Sequence, residues 1–290
     1  MNRILRFLLL IIPSVGSFML VAQENSLVNT SQSPFAKLKS IEMGAVRWTN
    51  GFWADRFKVC SESMVPFMMG NYLNPEISHA FRNFEIAAGL EEGEHKGPPF
   101  HDGDFFKMLE AMIVAWSSVR DAETEKKIGG IIAVIAKTQR PDGYIHTPVV
   151  IRQLQKGQEK AEFADRLDFE TYNMGHLMTA ACIHYRLTGK KTLLDIAITA
   201  TDFLYDFYKR ASAELARNAI CPSHYMGVVE MYRTTRDPRY LELAKNLVSI
   251  RSLVEKGTDD NQDRIPFEKQ DKAIGHAVRA NYLYAGVADV

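Results

Sequence analysis

Two stretches of this chain repeat one another. His184-Tyr-Arg-Leu-Thr-Gly-Lys-Lys-Thr-Leu-Leu-Asp-Ile-Ala197 returns, 47 positions later, as Met231-Tyr-Arg-Thr-Thr-Arg-Asp-Pro-Arg-Tyr-Leu-Glu-Leu-Ala244. Tyr185 matches Tyr232, Arg186 matches Arg233, Thr188 matches Thr235, and Leu194 and Ala197 match Leu241 and Ala244. Each copy closes one helix, turns through Thr-Gly or Arg-Asp-Pro, and opens a second, with Pro238 suited to a first helical turn. The spacing accommodates an inner helix, a turn, an outer helix and a return loop, so the repeating unit is a helical hairpin. Elsewhere the apolar spacing is also helical, as in Phe106, Leu109, Met112, Ile113 and Trp116, and strand-like alternation is nearly absent.

Stacked hairpins form an open solenoid or close into an α/α toroid. The long polar return loops here, 140–168 and 257–271, favour the toroid, because an open scaffold has less use for them. The expected fold is therefore all-α, an (α/α)6 toroid. A third unit opens at Gly275-His-Ala-Val-Arg-Ala, and by the same offset its turn and outer helix fall beyond Val290; the apolar helix lacks the neighbour it is patterned for, so the sequence reads as a truncated toroid.

Residues 1–23 run from cationic Arg3 and Arg6 through an apolar stretch broken by Pro13, the pattern of a secretory signal peptide rather than a bilayer span. The mature chain is expected to be periplasmic or extracellular, with no membrane partner after cleavage. Residues 24–40, rich in Ser, Asn and Gln, read as a flexible lead-in to a domain over 41–290. Thirty-five basic residues balance thirty-five acidic ones, which leaves no field to attract nucleic acid and suits a neutral saccharide. Cys60, Cys182 and Cys221 form no CxxC pair, so neither a disulfide framework nor a zinc knuckle is written here.

Chemistry-bearing residues gather in four segments: 101–104, 139–147, 168–176 and 275–276. At the ends of successive inner helices such segments converge on one cavity, and their carboxylates, imidazoles and aromatics suit a sugar's hydroxyls and C–H faces. Each has a structural reading too. Asp142 in Pro-Asp-Gly is a turn former; Asp104, ahead of a helix from 105 to 116, can cap it; His176 and His276 each follow a glycine that admits a ligand or a neighbouring helix. His184 reads as packing, and the acidic run 259–263 as a solvated loop without the spacing of a calcium site. No HExxH, P-loop, GxSxG or dinucleotide fingerprint occurs.

Asp-Gly-Asp-Phe-Phe-Lys-Met-Leu-Glu-Ala (102–111), Gln-Arg-Pro-Asp-Gly-Tyr (139–144), Tyr-Asn-Met-Gly-His-Leu (172–177), the 231–244 repeat and Gly-His-Ala-Val-Arg-Ala (275–280), taken in order, resemble glycoside hydrolase family 127. The resemblance implies an (α/α)6 barrel that removes non-reducing terminal β-L-arabinofuranose from glycans with retention, a zinc-bound cysteine acting as nucleophile and a glutamate as acid/base. The family's glutamate and its zinc–cysteine segment fall after the Gly-His-Ala-Val-Arg motif, and none of the three cysteines here matches them. No catalytic residue, metal ligand or cofactor is therefore assigned within this chain, zinc being expected in a full-length member, and the chain as given is expected to be inactive. The resemblance carries over His176 and His276 as sugar-binding residues, then Asp104, Tyr144 and Glu170; His146 joins them from its place beside Tyr144. Other readings are another toroid sugar enzyme, such as an unsaturated-uronide hydrolase or a lyase, and a non-catalytic carbohydrate-binding or helical-hairpin scaffold remnant.

Overall fold

The structure is a computed structural model that describes residues 26–28, 30, 33–157, 162–218 and 221–290; the signal-peptide assignment, residues 1–23, lies outside them. Among the described residues there are twelve α-helices and no strand. α1 (Gly51–Val59) continues through a π-helical turn into α2 (Val65–Leu73), and α3 (Ala80–Ala87) follows. Then come α4 (His101–Val119), α5 (Ala122–Thr138), α6 (Thr147–Lys156), α7 (Glu170–Thr188), α8 (Thr192–Phe207), α9 (Ala213–Arg217), α10 (Ser223–Thr235), α11 (Pro238–Ile250) and α12 (Ala277–Asp289). None of these helices is long and apolar enough to cross a membrane.

The two repeats are the hairpins α7–α8 and α10–α11, and they turn by the same bonds. Thr188 Oγ1 donates to the His184 carbonyl and Thr235 Oγ1 to the Met231 carbonyl, each at 2.7 Å. Each hydroxyl then accepts the backbone N–H two residues on, from Lys190 and Asp237. Gly189 and Arg236 both take the left-handed conformation that ends the first helix, and Asp237 caps α11 by accepting from Arg239 N. α4–α5 is a third hairpin, turned by Arg120 at φ 60° with Asp121 capping α5.

α4, α7, α10 and α12 lie side by side as the inner layer, with α5, α8 and α11 outside them. Sixteen of the nineteen residues of α7 are buried, as an inner helix requires. Glycine sets the inner spacing: a Cβ on Gly175 would sit 2.5 Å from His224 N, and one on Gly227 2.7 Å from the Gly175 carbonyl. At the C-terminal ends Glu230 receives both repeat arginines, Arg186 at 2.6 Å and Arg233 at 2.7 Å, and Arg233 also reaches Asp289. The N-terminal ends are joined as well, Ser223 Oγ donating to the Tyr172 carbonyl and Gly103 N to Asn173 Oδ1. These contacts fix the inner helices parallel, so one end of the layer collects four helix N-termini. The architecture is that of an (α/α)6 toroid.

Two local readings need correction. α4 begins at His101, placing Asp104 inside the first turn rather than ahead of the helix. The side-chain cap comes instead from Asn173, seventy positions away, whose Oδ1 accepts the Gly103 N–H. The run 259–263 is not a solvated loop: Asn261, Gln262 and Asp263 are buried. Asn261 accepts Cys221 N and donates to Asp263, while Gln262 Nε2 reaches the carbonyls of Asp260 and Ile274. Residues 26–28, in the lead-in, are tied to the body, Arg186 Nη1 donating to the Leu27 carbonyl at 2.8 Å.

Candidate sugar site at the helix N-termini

His176, on the second turn of α7, is 4% exposed and lies between Tyr172 and Tyr282, its ring centroid 4.7 Å from one and 5.3 Å from the other. Its Nε2 is buried and has no hydrogen-bond partner. Burial, with the Lys107 charge adding to it, holds the imidazole down to about 3, so the ring is neutral across the physiological range. From α4, Lys107 Nζ donates to Tyr172 Oη at 2.7 Å and pairs with Asp104 at the same distance. Tyr172 lies one turn before His176 on the same face of α7, and Tyr282 comes from α12. The result is a patch of two phenols, one neutral imidazole and one balanced ion pair, suited to a neutral polyol.

His276 occupies the N-cap position of α12 and is exposed. It precedes Tyr282 by six residues, about 9 Å along the helix axis, and so stands outside the level of His176. Its glycine has a structural cause: Gly275 is at φ 83°, and a Cβ there would lie 1.8 Å from the Asp259 carbonyl. Asp104 and His176 are thus brought together through Lys107 and Tyr172, with His276 further out along the helix that supplies Tyr282.

His146 belongs to a second cluster behind the first. It is fully buried at the N-cap of α6, with Nδ1 3.0 Å from Asn173 Nδ2. Asn173 Oδ1 already accepts from Gly103, so Nδ2 is the donor, His146 Nδ1 the acceptor, and the proton sits on Nε2, which has no partner. Asp102, 3.7 Å away, takes two hydrogen bonds from Thr147, at 2.7 Å from N and 2.6 Å from Oγ1. Burial raises Asp102 to about 7 and drives His146 well below its usual value, so this contact is not an ion pair.

Tyr144 and Glu170 face one another. The Tyr144 hydroxyl donates to Glu170, which also accepts Phe163 N at 2.9 Å. Both are buried, and burial pushes Glu170 up to about 7 against the lowering effect of those bonds. They strut the long loop between α5 and α7. Asp142 also serves the turn, accepting from Arg140 and from Tyr144 N, while Gly143 lies against the Thr199 carbonyl of α8.

The polar segments 101–104 and 168–176 contain Asp102, Tyr172 and Asn173 without singling them out, and Lys107 and Tyr282 were not among the candidate residues. A signal existed for three: Lys107 follows Asp104 by three positions, Tyr172 precedes His176 by four, and Asp102 lies in the same short segment as Asp104. Asn173 and Tyr282 act across helices, where local spacing carries no signal.

Burial raises the thiols of Cys182 to about 12 and Cys221 to about 11, so both are protonated. Among the described residues no three His, Cys, Asp or Glu side chains are grouped to hold a metal.

Parallel hairpins with phenol, imidazole and carboxylate groups at the inner N-termini define an α/α toroid with a polar inner end. The sequence model of the β-L-arabinofuranosidase GH127 catalytic domain matches residues 45–290, and the chain belongs to that family. A non-reducing end β-L-arabinofuranosidase of Bifidobacterium longum subsp. longum is 28% identical over 83% of this chain and 42% of its own length. A solved glycoside hydrolase is 50% identical, with a TM-score of 0.70 over 91% of this chain and 36% of that one. A GH127 β-L-arabinofuranosidase from Geobacillus stearothermophilus T6 is 28% identical, with a TM-score of 0.73 over 84% of this chain and 41% of that one. The chain spans less than half the length of these relatives.

Proposed function

We propose that this chain supplies the sugar-binding part of an exported, retaining β-L-arabinofuranosidase acting at the non-reducing ends of arabinose-containing glycans. The observation that carries the proposal is His176, a neutral imidazole with an unpaired buried Nε2 between two tyrosines. A furanose hydroxyl satisfies that nitrogen, while Tyr172 and Tyr282 offer ring surface to the rest of the sugar. Lys107 and Asp104 hold the Tyr172 hydroxyl, so the patch is formed before the sugar arrives. His276 stands further out, where it meets an incoming glycan. Asp102, Asn173 and His146 fix the start of α6 behind it, and Tyr144 and Glu170 brace the adjoining loop.

Bond cleavage needs the glutamate and zinc–cysteine segment that the family resemblance implies, and none of Cys60, Cys182 and Cys221 matches that segment. The 290-residue chain alone is expected to bind sugar without turning it over. Export rests on the leader pattern of residues 1–23. Calorimetric titration with methyl β-L-arabinofuranoside tests the binding role. Saturable binding, weakened about tenfold or more by His176→Phe, is expected. Binding unchanged by the substitution, or none in the unsubstituted chain, removes the proposal.

A further inference from the structure

Toward the other end of α7, eight residues or about 12 Å along the axis from His176, a groove of about 370 Å³ opens between α5 and the C-terminal end of α7. Trp116, Ile128 and Ile132 form apolar walls, and α5 presents Gly129 and Ala133 one turn apart where larger side chains would fill the space. A Cβ on Gly129 would meet nothing within 4 Å. His184, 4% exposed, lines the groove, and its Nδ1 is buried without a hydrogen-bond partner. Glu125 and Lys190, also among the lining residues, are paired at 2.6 Å, so their charges cancel.

We propose that this groove binds a small neutral molecule with an apolar body and a single hydroxyl, of which a simple phenol is the smallest example. The volume lies at the lower end of the roughly 300–1,000 Å³ usual for small-molecule sites, which suits one ring rather than an oligosaccharide. The walls take the ring by burial. A hydroxyl both donates and accepts, so it satisfies His184 in either neutral tautomer. An ionic ligand would be desolvated with no free counter-charge, since Glu125 and Lys190 already serve each other. Burial holds His184 down to about 4, which keeps the imidazole neutral at ordinary pH and agrees with an uncharged guest.

Titration of the purified chain with p-cresol, followed by calorimetry and by Trp116 fluorescence in a Trp48→Phe, Trp53→Phe background, tests the site, with toluene as the comparison ligand. Saturable p-cresol binding about tenfold tighter than toluene is expected, the difference being the single hydrogen bond to His184. Gly129→Leu, whose Cβ meets nothing within 4 Å, extends a side chain into the groove and should weaken both ligands at least tenfold. His184→Phe should abolish the preference for p-cresol. Equal binding of the two ligands to the unsubstituted chain, no saturable binding, or p-cresol binding indifferent to Gly129→Leu overturns the proposal.

Discussion

At the scale of single residues, the account turns on which neighbours consume a side chain's hydrogen bonds. Tyr144 and Glu170 bond to each other, and Asp102 is held by Thr147, whereas His176 keeps a buried nitrogen unpaired. Asp102→Ala should therefore act on stability, leaving two Thr147 donors without their acceptor; a loss of about 2–3 kcal/mol in urea unfolding is expected. Lys107→Met tests what keeps His176 neutral. Burial is the larger cause and Lys107 the smaller, so NMR titration of the variant should show the imidazole rising only slightly and staying far below 6.5. A return to 6.5 would make Lys107 the dominant cause. His176 and Asp104, which the fold brings together, stood out as candidates because they lie in short polar segments; Lys107 did not, because a lysine on a helix usually reads as solvated.

At the scale of elements, glycine separates the inner helices from the outer ones. Gly175→Ala and Gly227→Ala each drive a Cβ into backbone across the α7–α10 contact and should cost about 1–3 kcal/mol. Gly129→Ala on α5 meets nothing and should gain up to about 1 kcal/mol from helix propensity, so paired denaturation curves should move in opposite directions. The hairpins were legible because Thr188 and Thr235 make the same two turn bonds and Gly189 and Arg236 the same left-handed end. The start of α4 was not, because its cap comes from Asn173 on another helix. The burial of 261–263 was equally hidden: acidic and amide residues read as solvated unless their partners, here Cys221 N and the carbonyls of Asp260 and Ile274, are known.

For the whole molecule, the buried titratable groups set how stability varies with pH. His95, His101, His146, His176, His184 and His224 are all held below 6.5 when folded. As pH falls below about 6.5 the unfolded chain gains protons at these sites that the folded chain refuses, so each removes stability. Asp102, Glu110 and Glu170 are raised, Asp102 and Glu170 to about 7, so the folded chain keeps protons there that the unfolded chain releases between about 4 and 7. Each of these adds stability as pH falls through that window. Six against three decides the sign: the urea midpoint should drop from pH 7 to pH 5, and unfolding should take up protons. The toroid class was legible from one repeat and two long loops, but the number of sealed histidines was not, since burial is a property of the packed layer. The most direct test of the sugar-site assignment is ¹⁵N-histidine NMR at pH 5 with and without methyl β-L-arabinofuranoside. The account predicts a neutral His176 whose Nε2 resonance moves on adding sugar while that of buried His224 stays still; a protonated His176, or one indifferent to the sugar, would contradict it.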